Sequence, residues 1–259
     1  MLFLFVVIIF QVTLKGKTSC MNFILLFLIS ILVTLSSFGQ RDLFIDSIID
    51  PLIDQFSEDT EFAIAIIKDG KASFTGYRKL DDTYHQVENE KSIFEIGSIS
   101  KVFTSVLMTQ MHLEQKIDMN KEVYKYTSMK FKKKPKFTFV NLSNHTSGLA
   151  RMPSNISESM FENPADPYRD YKLENLKDYL ANDLELFSEI GASSSYSNLG
   201  AGLIAVVLSE LENKTYEELL QQRIFKPLSM TRSTSYRKLV TEPFVKGLDM
   251  RGAETSYWD

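Results

Sequence analysis

Ser98 and Lys101 stand three residues apart where a loop runs into a long apolar segment, within Phe94-Glu95-Ile96-Gly97-Ser98-Ile99-Ser100-Lys101-Val102-Phe103-Thr104. Positions i and i+3 of a helix lie on one face, so the lysine amine can reach back to the serine hydroxyl. A hydroxyl beside an amine base is the elementary form of an activated nucleophile. The same spacing also fits a helix N-terminus whose lysine simply extends to water, and the pattern alone is weak. A second copy, Ser235-Tyr236-Arg237-Lys238, calibrates it. Around Ser235 the neighbours are polar and basic and no apolar helix follows. Around Ser98 the lysine opens an apolar segment, where a cation is costly unless it has a partner or a task.

Two other stretches carry groups suited to chemistry. Ser143-Asn144-His145-Thr146-Ser147-Gly148-Leu149 is turn-rich and holds one of three histidines; taken alone, His145 reads as a residue that pins a loop by hydrogen bonds. Gly191-Ala192-Ser193-Ser194-Ser195-Tyr196-Ser197-Asn198 is small and polar and runs straight into the apolar segment 201–211. In an extended segment, Tyr196 and Asn198 present both side chains on one side of the backbone. His85 and His112 lie far from His145, and neither His-Glu-x-x-His nor Cys-x-x-Cys spacing occurs, so no metal or cofactor is called for.

The elements that must position these residues follow from periodicity. Ile99, Val102, Phe103, Val106, Leu107, Met111 and Leu113 recur at helical spacing and predict a helix with a wide buried face. An amphipathic first helix is expected over 42–56, interrupted by Pro51. The run 62–67, an Asp69-Gly70 turn and the run 72–77 predict a β-hairpin. Residues 81–91 are expected to form a loop, 173–186 a helix, and Thr215-Tyr216-Glu217-Glu218 a capping box that opens a helix continuing to Phe225.

The chain has 259 residues, 44% hydrophobic and 24% charged, which supplies a full globular core. A formal net charge of -4 gives no footprint for nucleic acid, and the basic run from Lys130 to Lys136 reads as a solvated loop. Two apolar runs, 2–14 and 23–35, fall short of the roughly 20 residues a membrane-spanning helix needs. The second is preceded by lysines and ends in Ser37-Phe38-Gly39, the form of a cleaved export signal, with Met21 as an alternative start and an uncleaved membrane anchor as the other reading. Residues 1–39 are therefore assigned as signal peptide or anchor and 40–259 as the folded domain, placed outside the cytoplasm: periplasmic, or membrane-associated on the outer side. Membrane contact is expected only through an uncleaved N-terminus. Beyond Cys20 the chain has no cysteine, so its fold is independent of disulfides.

In order and approximate spacing, Ser98-Ile99-Ser100-Lys101, Asn144-His145-Thr146-Ser147-Gly148-Leu149, Tyr196-Ser197-Asn198 and Ile224-Phe225-Lys226-Pro227-Leu228-Ser229-Met230 resemble the serine β-lactamase and penicillin-binding-protein superfamily, and within it the class C branch. The resemblance covers about 42–258. It implies an α+β fold in which an antiparallel sheet is flanked by helices, with a mostly helical subdomain. It implies hydrolysis of amide, β-lactam or ester bonds through an acyl-enzyme on Ser98, with a small molecule or peptidoglycan peptide as substrate. In that scheme Lys101, its pKa lowered by burial and neighbouring cations, is base or proton relay. Tyr196 is the second relay and the activator of the deacylating water, and Asn198 hydrogen-bonds the substrate amide or Lys101. The Ser98 backbone N–H supplies an oxyanion donor, and His145 is loop scaffold. The family's third motif, Lys-Thr-Gly or His-x-Gly, is not found after Asn198, and Lys68-Asp69-Gly70 precedes Ser98 in a hairpin turn. The expectation is a C-terminally truncated chain lacking the strands with the second oxyanion donor and the carboxylate-binding cation. An inactive fragment, a cell-wall peptide-binding module or a membrane-anchored structural domain are the alternatives.

Overall fold

The computed structural model describes residues 7–9, 51, 55–156, 166, 168–241, 243–249 and 251–255. Apart from 7–9, the proposed leader lies outside these residues, as does most of the helix expected over 42–56. The chain divides into two units, one of residues 1–92 and 248–254 and the other of 93–247 and 255–259.

The first unit is a sheet in the order β1 (Val7–Ile9), β2 (Glu61–Lys68), β3 (Lys71–Leu80), β4 (Thr83–Val87). β2 and β3 form the expected antiparallel hairpin, with Lys68 opposite Lys71. Asp69 and Gly70 both take positive φ, 50° and 75°, the twist that suits a two-residue hairpin turn. The loop expected over 81–91 is corrected: Thr83–Val87 is a third antiparallel strand. Asp81 and Asp82, with φ of 53° and 57°, make a second turn of the same kind, aspartate tolerating the left-handed region without the glycine that would have marked it. The strand is held by Tyr84, buried with Tyr77 against Phe62, Ile64 and Ile66. The far edge of β2 is occupied by β1, paired in parallel.

The second unit is helical. A 3₁₀ turn, Gly97–Ile99, leads into α1 (Ser100–Leu113); then come α2 (Phe139–Ser143), α3 (Leu173–Asp178), α4 (Asn198–Glu212) and α5 (Tyr216–Leu220). α3 and α5 each continue as a π-helical turn, Tyr179–Asp183 and Gln221–Phe225. The core is one cluster in which Leu107 and Met111 of α1, Phe139 and Leu142 of α2, Leu203, Ile204 and Leu208 of α4 and Leu219 of α5 are fully enclosed. Thr215 and Glu218 form the expected reciprocal cap, the Glu218 N–H donating to Thr215 Oγ1 and the Thr215 N–H to Glu218 Oε2. In the basic run Lys130, Lys133, Lys134 and Lys136 are exposed and Lys132 is half-buried, while Phe131 packs beside the buried Phe137 that follows the run.

α1 departs from the wide buried face expected of it. Thr104, Leu107, Met108 and Met111 are buried, but Ile99, Val102, Val106 and Leu113 form an exposed line, with Val102 60% exposed. Apolar periodicity records that a face is apolar and not what covers it. Lys101 is correspondingly half-buried rather than enclosed.

Candidate active site

The site is assembled within the helical unit by a lacing of two loops. The loop after α2 and the stretch before α4 run beside one another, joined by hydrogen bonds between residues 145–151 and 187–198. Ser195 N–H donates to His145 O at 2.8 Å, Gly191 N–H to Thr146 O at 2.8 Å and Phe187 N–H to Gly148 O at 2.8 Å. Ser197 Oγ–H donates to Ala150 O at 2.7 Å, and Asn198 N–H to Arg151 O at 2.9 Å. Ser197, wholly buried, also caps α4 by accepting the Gly200 N–H at 2.9 Å. A small polar composition lets these backbones approach; Gly148, at φ 75°, leaves no room for a Cβ, which would lie 2.3 Å from Ser188 O.

His145 fixes the remaining freedom. It adopts φ 60°, its Nδ1 accepts the Ser197 N–H at 3.2 Å, and its ring lies 4.5 Å from that of Tyr196. Accepting at Nδ1 requires the neutral imidazole with its proton on Nε2. Burial, and then the positive charge of Lys101, hold its pKa below the usual histidine value.

These constraints bring Tyr196 to Ser98 from 98 residues away. The Tyr196 hydroxyl lies 2.7 Å from Ser98 Oγ, and Lys101 Nζ donates to the same oxygen at 3.2 Å. Lys101 Nζ also sits 5.0 Å from the centre of the Tyr196 ring. Ser98 is exposed and lies in the first open turn ahead of α1, where backbone N–H groups lack intrahelical acceptors. Burial alone would raise the Tyr196 pKa. It is outweighed by hydrogen bonding from Lys101 and Ser98 and by the charges of Lys101 and Arg151, so the phenol ionises more readily than a free tyrosine. The arrangement can take a proton from Ser98 and return it to a neighbouring atom.

Asn198 does not join this group. Its Nδ2 donates to Tyr168 Oη at 3.1 Å, Tyr168 in turn donates to Met152 Sδ at 3.0 Å, and Asn198 Oδ1 is buried without a hydrogen-bond partner. Ser235 is occupied elsewhere: its hydroxyl and N–H both donate to the buried Glu217 carboxylate, at 2.7 and 2.6 Å. Arg151, which no motif marked, places its guanidinium 5.1 Å from the Tyr196 ring centre. Its position depends on lacing between segments 45 residues apart, which local spacing does not reveal.

Similar proteins identify the family of the chain. The family model described as Beta-lactamase matches residues 49–247. A β-lactamase of Providencia stuartii is 28% identical over 201 residues, covering 77% of this chain and 48% of that protein. The D-alanyl-D-alanine-carboxypeptidase/endopeptidase AmpH of Escherichia coli is 26% identical over 182 residues, covering 68% and 45%. The chain thus spans about half the length of these curated relatives. Among solved structures, a β-lactamase/D-alanine carboxypeptidase of Pseudomonas syringae superposes with a TM-score of 0.66 at 20% identity, over 85% of this chain and 58% of that one. With the α+β fold shared and the family match running through all the residues that meet at Ser98, the chain belongs to the β-lactamase family, within the serine β-lactamase and penicillin-binding-protein superfamily.

Proposed function

We propose that this chain is an exported serine hydrolase that forms an acyl-enzyme on Ser98 with amide, β-lactam or ester substrates, small molecules or peptidoglycan peptides. The observation that carries the reading is the convergence of Tyr196 Oη and Lys101 Nζ on Ser98 Oγ, at 2.7 and 3.2 Å. In acylation the Tyr196 phenolate takes the Ser98 hydroxyl proton as Oγ attacks the substrate carbonyl carbon. The Lys101 ammonium stabilises both anionic partners of that exchange. The Ser98 N–H faces the oxygen that gains the electron pair. Collapse of the tetrahedral adduct expels the leaving group, which receives the proton from Tyr196, and the regenerated phenolate then activates the water that hydrolyses the ester. His145 acts only by holding the Tyr196 loop. Export is supported by the apolar run ending at Ser37-Phe38-Gly39; among the described residues no helix is long and apolar enough to cross a membrane.

The test is intact mass of the purified chain after incubation with a fluorophosphonate and, separately, a penicillin. A single adduct lost in Ser98→Ala and kept in Ser235→Ala is expected. An adduct that survives Ser98→Ala overturns the nucleophile, and a folded chain that takes up neither reagent points to the non-catalytic peptide-binding reading instead.

A further inference from the structure

Two cations, not one, lie against the Tyr196 ring. Lys101 approaches from α1, with Nζ 5.0 Å from the ring centre, and Arg151 from the loop after α2, with Cζ at 5.1 Å. Among the described residues, the other groups that face the tyrosine are Ser98 at its oxygen, the neutral His145 ring and, through its charge, Tyr168. Neither Lys101 nor Arg151 is ion-paired with a carboxylate among the described residues. Arg151 is exposed, yet its backbone is fixed, because its carbonyl accepts the Asn198 N–H at 2.9 Å and the Leu199 N–H at 3.3 Å where α4 begins. A guanidinium held in this way against an aromatic ring gains attraction from the ring itself and favours an anion on that ring.

We propose that Arg151 is a positioning residue of the acylation step, completing with Lys101 a pair of cations that orients the Tyr196 ring and favours its phenolate, the form that accepts the Ser98 proton. The proposal rests on the acyl-enzyme reading for its consequence, though not for its geometry. The Ser98 Oγ–H bond breaks, the Tyr196 O–H bond forms, and the freed Oγ electron pair goes to the substrate carbonyl carbon; Arg151 exchanges no proton. Removing its charge raises the energy of the phenolate without touching the nucleophile.

The experiment is titration of Tyr196 by NMR in chain carrying ring-¹³C tyrosine, with the resonance assigned by Tyr196→Phe. The proteins compared are the unaltered chain, Arg151→Met and Arg151→Lys. A cation about 5 Å away in a half-solvated site lowers the midpoint by about 0.5–1 pH unit. Arg151→Met is therefore expected to raise the midpoint by that amount, and Arg151→Lys to recover part of it. The pH profile of fluorophosphonate labelling at Ser98 should shift by the same interval in the same direction. Arg151→Gln replaces the methionine variant if that fails to fold by circular dichroism. Equal midpoints in folded chains overturn the proposal. So does an Arg151→Met effect confined to the KM of carboxylate-bearing esters, which would make Arg151 a substrate anchor. The titration needs no turnover, so a moved midpoint in a chain that never labels would sink the hydrolase reading while leaving the electrostatic coupling established.

Discussion

At the scale of single residues, the site is defined by what surrounds one phenol. His145 contributes an acceptor and a flat surface, and its usefulness depends on staying uncharged. Its pKa is held below 6.5, first by burial and then by the Lys101 charge. The unfolded chain therefore binds that proton at higher pH than the folded chain does. The stability contributed by the neutral ring is complete above pH 6.5 and is lost as pH falls through the depressed folded value. Protonation would also turn Nδ1 into a donor facing the Ser197 N–H. His145→Phe should keep a ring against Tyr196 but leave that N–H unsatisfied, costing about 1–3 kcal/mol at pH 8. It should also flatten the fall in urea-unfolding stability between pH 7 and 5. A variant with the parent's slope would show that another group titrates there. Lys101 and Arg151 do the converse work, favouring negative charge on the phenol beside Ser98.

At the scale of elements, the lacing between the loop after α2 and the stretch before α4 converts sequence motifs into a site. Gly148 is its tightest point, combining φ 75° with a would-be Cβ 2.3 Å from Ser188 O. Gly148→Ala is expected to cost about 2–4 kcal/mol, from left-handed strain plus displacement of the neighbouring backbone, and to lower Tm by roughly 5–10 °C. Labelling of Ser98 should slow together with it, because Tyr196 sits on the displaced strand of the lacing. A normal Tm in thermal denaturation would mean that the two loops can part without cost. The motif residues themselves, the Asp69-Gly70 hairpin and the Thr215 cap were readable in the sequence because each is a local event, fixed by spacing and turn chemistry. What was not readable depended on tertiary partners. β4 hid behind an Asp81-Asp82 turn with no glycine. The exposed line Ile99, Val102, Val106 and Leu113 has the same periodicity as a buried one. Asn198 turned to Tyr168 rather than to Lys101, and Arg151 reached Tyr196 only through the lacing.

At the scale of the whole molecule, the helical unit that contains the site is fastened by a charge network at the end of α1 remote from Ser98. Arg223 binds Glu114 through two hydrogen bonds, at 2.7 and 3.1 Å, and reaches Glu212 of α4 at 3.3 Å; Lys116 bridges the same two carboxylates at 3.1 and 2.6 Å. Isolated exposed pairs contribute little, but here each charge has two partners and Arg223 and Glu212 are largely covered. Hydrogen bonds from Arg223 and then Lys116 hold the Glu114 carboxyl at about 2, against 4.5 when free. Since the folded value is the lower one, the unfolded chain takes up the proton first on acidification. The stabilisation is full above pH 4.5 and disappears as pH falls toward 2. Glu114→Gln should therefore lower stability at neutral pH and make it less steeply dependent on pH between 4.5 and 2, as read from urea midpoints at pH 5, 3.5 and 2.5. Because Glu114 is 43% exposed, 1 M salt should shrink the difference between parent and variant at pH 5. Parallel acid limbs in the two proteins would place the acid sensitivity on other carboxylates, such as the buried Glu217, whose pKa is also low. There burial is outweighed by hydrogen bonds from Ser235, Gln221 and Thr234. Fluorophosphonate labelling of Ser98 at pH 7 should be unchanged in Glu114→Gln, because the network is anchored at the opposite end of α1 and touches none of the groups around Tyr196.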